Sequence, residues 1–155
     1  MARVETTDEL GLPLNIFIDN AADFTAVPAG PCSIEVYGVG GEDVRLFPSE
    51  QAFRAAVTGM EPIAMIPIGT FPAEEGDDLF VQSPHILFAG LVRGVEWNPA
   101  AREDEPNCAL LVETLELLFQ LHLRYEGEVE PGYFVHGVAW LFGDLELSAC
   151  SKRLN

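Results

Sequence analysis

From Leu117 to Glu126 the chain alternates without a break. Leu117, Phe119, Leu121, Leu123 and Tyr125 occupy one parity, and Leu118, Gln120, His122, Arg124 and Glu126 the other. All but Leu118 of the second set are polar. A helix returns to one face every three or four residues, whereas a strand sends successive side chains to opposite faces, so the stretch reads as a strand with one wet face. Leucine content by itself supports a rival reading, one long helix over residues 109–125. Under the strand reading residues 108–114 form a partner strand across a tight turn at Leu115-Glu116, and the rest of the chain must supply a sheet around them.

It does so in several places. Leu12, Leu14, Ile16 and Ile18 alternate with Pro13, Asn15 and Phe17, and Ile34 and Val36 alternate with Glu35 and Tyr37. Gly38, Gly40 and Gly41 read as a turn, because their spacing is not that of a nucleotide loop and no lysine follows. Pro48-Ser49-Glu50 is a helix start, with Ser49 as cap and Glu50 against the positive end of the dipole. Phe53, Ala56 and Val57 share one face of that short helix, and Gly59 stops it. Pro62 and Pro67 confine residues 63–68 to an edge strand. Residues 85–97 form a long apolar strand bent at Gly90 and Gly94, and Pro131-Gly132 turns the chain into a last strand or strand pair over 133–147, bent at Gly137 and Gly143. The expected class is α+β, mainly β: one domain over 1–155, with a β-rich N-terminal region (1–82) carrying one short helix and a C-terminal segment (83–150).

The charge balance excludes whole classes of partner. The chain carries 25 acidic and 8 basic residues, a net charge of −17. Lysine and arginine contacts to phosphate dominate nucleic-acid affinity, so a general DNA or RNA binder is not expected, nor one that adheres to anionic membranes. No apolar run reaches the roughly 18–20 residues of a membrane span, and the N-terminus lacks the apolar stretch of a secretory signal. Cys32, Cys108 and Cys150 are odd in number and form no C-x-x-C pair, as in a reducing cytoplasm. Acid clusters at Glu74, Glu75, Asp77 and Asp78, at Glu103, Asp104 and Glu105, and at Glu126, Glu128 and Glu130 are the candidate faces for a basic partner.

Chemistry is not expected. His85, His122 and His136 have no ligand spacing, and the acid run at 74–78 lacks the twelve-residue calcium-loop pattern. Neither Cys108 nor Cys150 has a neighbouring cation at fixed spacing to activate a thiolate. We therefore expect no catalytic residue, no metal and no cofactor.

The C-terminal half carries a resemblance. His85, Ile86, Phe88, Gly90 and Val92, then residues 111–115, then Gly132, Gly137, Trp140, Leu141 and Gly143 resemble a pattern shared by a group of uncharacterised bacterial proteins. The order of a bent, glycine-interrupted strand, a hairpin and a turn into another bent strand looks like an OB-fold, a small coiled five-stranded barrel. The OB resemblance implies a binder of oligonucleotide or oligosaccharide through Trp97, Tyr125, Tyr133 or Trp140, although the basic groove of such proteins is missing. His136 shares strand parity with Phe134, Val138 and Trp140 and joins these candidates. Residues 85–97 and 133–147 are apolar on both parities and so need cover on both faces. We expect the N-terminal part to cover some of that second face and a second subunit, in a twofold dimer, to cover more. The reading is a non-enzymatic binding or structural module working through protein contacts, with an acidic inhibitor of a basic partner, such as an immunity protein or nucleic-acid mimic, as the alternative.

Overall fold

The computed structural model describes residues 1–6, 11–23, 32–71, 81–115 and 117–146. Among the described residues nine strands and one α-helix follow in chain order. They are β1 (Ala2–Glu5), β2 (Pro13–Ile18), β3 (Ile34–Gly40), β4 (Arg45–Phe47), α1 (Glu50–Ala56), β5 (Ala64–Ile66), β6 (His85–Trp97), β7 (Cys108–Glu113), β8 (Leu118–Leu123) and β9 (Phe134–Leu145). A single turn of 3₁₀ helix, Ala21–Asp23, follows β2.

The long helix over 109–125 does not form: β7 and β8 are an antiparallel hairpin, with Leu110 opposite Leu121 and Val112 opposite Phe119. β6 pairs antiparallel with β7 on one side and with β9 on the other. β3 lies between β8, to which it is parallel, and β9, to which it is antiparallel. The pairings β6–β7–β8–β3–β9–β6 therefore return to their start, and strands from both sides of residue 82 share one continuous sheet. Outside this circuit, β2 joins β9 in a short parallel contact, β1 pairs with β2, β4 with β9 and β5 with β6. The edge-strand reading of residues 63–68 agrees with β5, whose only strand partner among the described residues is β6.

Strand alternation fills the interior of the circuit. Ile86 and Phe88, Leu110 and Val112, Phe119 and Leu121, and Val135, Ala139 and Leu141 are all buried in one cluster. Its large rings sit opposite small residues. Phe88 and Phe119 meet edge to face at 5.6 Å. A Cβ on Gly38 would lie 2.8 Å from Cε2 of Phe119. This corrects the turn expected at Gly38 and Gly40. Both belong to β3, where an absent side chain leaves room for the Phe119 ring and for Val44 and Leu121. Glycine there serves packing across the interior, not chain reversal.

The outer side is partly covered by α1. Ser49 Oγ accepts from the Ala52 backbone N–H at 3.1 Å, the cap expected from the sequence. Phe53, with no exposed surface, packs with Phe47, Val57 and Ala89 into a second small core that also touches Phe134. Truncating Phe53 to alanine removes that anchor, a loss of about 3–5 kcal/mol for a buried aromatic. The N-terminal part thus covers some of the second face of β6 and β9, as the apolar content of those strands requires.

Candidate functional site

Away from α1, strand register sets the outer side chains of the described sheet in rows. One row runs Leu111, Gln120, Tyr37, Phe142, Phe17 across β7, β8, β3, β9 and β2, each directly opposite the next. The row beside it runs Ala109, His122, Val39, Trp140, His85 across β7, β8, β3, β9 and β6. The rings make a continuous band: Phe17 on Phe142 at 5.6 Å, Phe142 on Tyr37 at 5.4 Å with planes 14° apart, and Tyr37 edge-on to His122 at 5.7 Å. In the neighbouring row His85 meets Trp140 at 4.6 Å. Phe17, Val39, Leu111 and Trp140 are all exposed. Contiguous apolar surface of this kind marks an interaction site more often than scattered exposed residues do.

Carboxylates rim the band. Glu35 and Asp144 face each other across β3 and β9, two rungs beyond Tyr37 and Phe142 and so on the same face. Asp19 is brought in by the end of β2. Its backbone N–H donates to the Gly143 carbonyl at 3.0 Å. Next to it, the Asn20 amide exchanges two 3.0 Å hydrogen bonds with the Leu145 backbone, as a neighbouring strand would. The Tyr37 hydroxyl donates to Asp19 Oδ2. That bond, with burial and the nearby charges of Asp19 and Asp144, pushes the phenol up to about 12. Tyr37 is therefore a neutral, fixed donor. Glu35, Val36, Tyr37, Gln120, His122 and Asp144 line a shallow depression of about 190 Å³.

The described cations are engaged elsewhere. Arg54 pairs with Glu50 and Glu61, Arg93 with Glu113, and Arg102 with Glu105. Arg124 donates to the carbonyls of Arg102 and Glu105, while Arg3 and Arg45 lie over the rings of Phe71 and Phe47. Among the described residues no group of His, Cys, Asp and Glu has the arrangement of a metal site, and no helix is long and apolar enough to cross a membrane. Burial pushes the Cys108 thiol up, opposite to the direction a nucleophile requires.

The residues singled out from the sequence do not converge. Trp140 stands in the aromatic band. Trp97 is exposed at the far end of β6, since Trp140 lies opposite His85, the first residue of that strand, and Trp97 is the last. Tyr125 and Tyr133 are half-buried and pack against the main core. His136 lies on the outer face of β9 beside α1, 6.2 Å from the Phe53 ring. Desolvation and the Arg45 charge push its imidazole down, with Asp43 acting the other way. Glu103 and Asp104 are exposed in the β6–β7 loop, where Arg102 compensates part of the charge. Glu74, Glu75, Asp77 and Asp78 lie outside the described residues. Glu35, Tyr37, His122, Phe17 and Phe142 emerge as site residues from the strand order. Their sequence signal was parity, which assigns a face and not a neighbour. No protein-family model matches the chain, and no curated protein or solved structure matches it.

Proposed function

We propose that the chain is a non-enzymatic binding module that engages a basic protein partner through the outer face of β2, β9, β3 and β8. The observation that carries this reading is the aromatic band running from Phe17 to His122, rimmed by Asp19, Glu35 and Asp144. Exposed rings supply contact area at low entropic cost, and the carboxylates select the sign of the partner and speed its approach. The same rim disfavours nucleic acid, since phosphates would meet carboxylates on a face where the arginine that follows β8, Arg124, is turned to loop carbonyls. A twofold self-association through this face would set Glu35 and Asp144 of one copy near those of the other, so the charge favours a different, basic chain.

The scaffold reads as an OB-like barrel. In an OB-fold the first strand pairs with the second and fourth, and the third lies parallel to the fifth. The circuit here matches that order when β6, β7, β8 and β9 are taken as the first four strands and β3 as the fifth, moved to the front of the chain. This reading supports a role for the fold as a rigid platform, with function carried by the side chains on it.

The test is capture from the cell's own lysate with three proteins: the wild type, a Trp140→Ala face variant, and a loop variant with Glu103, Asp104 and Glu105 changed to amides. A basic protein held by the wild type and loop variant, released by salt and absent from the face variant, is the expected result. Equal capture by the face variant, or no salt-released partner from the wild type, contradicts the reading.

A further inference from the structure

We propose that the depression between β3, β8 and β9 receives an arginine side chain of the partner, held between Glu35 and Asp144 against the rings of Tyr37 and His122. The inference rests on the binding reading above and adds what the site recognises. Size comes first. At about 190 Å³ the depression falls below the roughly 300–1,000 Å³ of pockets that enclose small-molecule ligands, and it suits one side chain.

Charge comes next. Two carboxylates directly opposite on paired strands repel, and sheets ordinarily place opposite charges there. Neither Glu35 nor Asp144 has an ion pair among the described residues, while Arg54, Arg93, Arg102 and Arg124 are all engaged elsewhere. Among the described residues no cation compensates the pair, and the partner's arginine would supply one. Gln120 adds a further acceptor at the rim. The Tyr37 hydroxyl is committed to Asp19, which fixes the ring as a wall instead of a competing donor for the two carboxylates.

Shape then separates arginine from lysine. The guanidinium is a planar fork that bridges two carboxylates and stacks on an aromatic ring, whereas the lysine ammonium is a strongly hydrated point charge. A wall of rings beside two facing carboxylates suits the former.

The experiment titrates the full chain by calorimetry with tetrapeptides of arginine, lysine and citrulline in about 150 mM salt, a level at which loose surface attraction is screened. The arginine peptide is expected to bind about fivefold or more tighter than the lysine peptide, and the neutral citrulline peptide not measurably. Glu35→Gln combined with Asp144→Asn is expected to weaken arginine binding about tenfold, with the Glu103, Asp104 and Glu105 amide variant within about twofold of wild type. The double variant relieves a repulsion and so retains the fold. Equal affinity for arginine and lysine, no effect of the double variant, or displacement of the peptide by Mg²⁺ or Ca²⁺ overturns the proposal. If the natural partner still depends on Trp140 while the double variant holds it normally, the arginine pocket fails and the binding face stands; if Trp140 is also dispensable, both fail.

Discussion

Glu35 and Asp144 stand directly opposite each other on β3 and β9, two like charges at a position where the sheet gains nothing from them. A cross-strand charge pair is worth roughly 0.2–1 kcal/mol, and a like pair counts against the fold by a similar amount. Glu35→Gln is therefore expected to raise the urea midpoint modestly while weakening the partner. A binding site that holds its charges ready at some cost in stability behaves in this way. A variant that lost both stability and binding would assign Glu35 to the scaffold.

Gly90 and Gly94 both lie in β6, and the structure predicts opposite outcomes for them. A Cβ on Gly90 would stand 2.6 Å from the Glu113 carbonyl oxygen and 2.7 Å from Val112 Cγ1, on a paired strand that cannot withdraw. Gly90→Ala is expected to cost about 3 kcal/mol, at the upper end of core overpacking. At Gly94, next to the register shift between β6 and β7, the nearest atom is Leu111 Cβ at 3.5 Å, an ordinary contact. Gly94→Ala should stay within about 0.5 kcal/mol of wild type by denaturant unfolding.

Tyr37 provides an alkaline signature. Its phenol is raised from 10.0 to about 12, chiefly by the bond to Asp19. The folded state thus holds this proton more tightly than the unfolded chain does. The stability tied to it is fully present below pH 10 and is lost as pH rises through about 12. Ultraviolet titration of wild type minus Tyr37→Phe should show a phenolate transition near 12, and Asp19→Asn should move it toward 10. A difference transition near 10 in the wild type would mean that the bond does not form in solution.

His136 gives the acid counterpart. Burial and Arg45 hold its pKa below the ordinary 6.5, so the unfolded chain binds the proton more tightly. The contribution of neutral His136 is complete above pH 6.5 and declines as pH falls through the lower, folded value. Chemical denaturation at pH 7.5 and pH 5 should show a smaller acid loss in His136→Gln than in wild type, the difference removing the background from the other acidic groups. Equal losses would place the imidazole in contact with water.

Local alternation carried much of the fold. Leu117 through Tyr125, the span of β6 and the Ser49 cap were all legible because each depends on residues within a few positions. Gly38 was not, since the reason for it, the Phe119 ring, reaches it only through the parallel pairing of β3 with β8. The same pairing explains why Trp140 was visible as a site candidate and its neighbours were not. Tyr37 and His122 come from distant parts of the chain, and parity assigned each a face without naming what stood beside it. Glu35 offered no signal in a sequence with so many acids, and its position opposite Asp144 sets it apart.

Trp97 and Trp140 make the most direct test, because they are 48% and 49% exposed, and Trp97 ends β6 while Trp140, on β9, pairs with His85 at its start. Hydroxyl-radical footprinting of the full chain, free and with the captured basic partner bound, compares their oxidation within one sample. Trp140, with Phe17 and Phe142, is expected to be protected in the complex while Trp97 is oxidised as before. Protection of Trp97 with Trp140 unchanged would move the interface to the other end of β6 and contradict binding through the aromatic band.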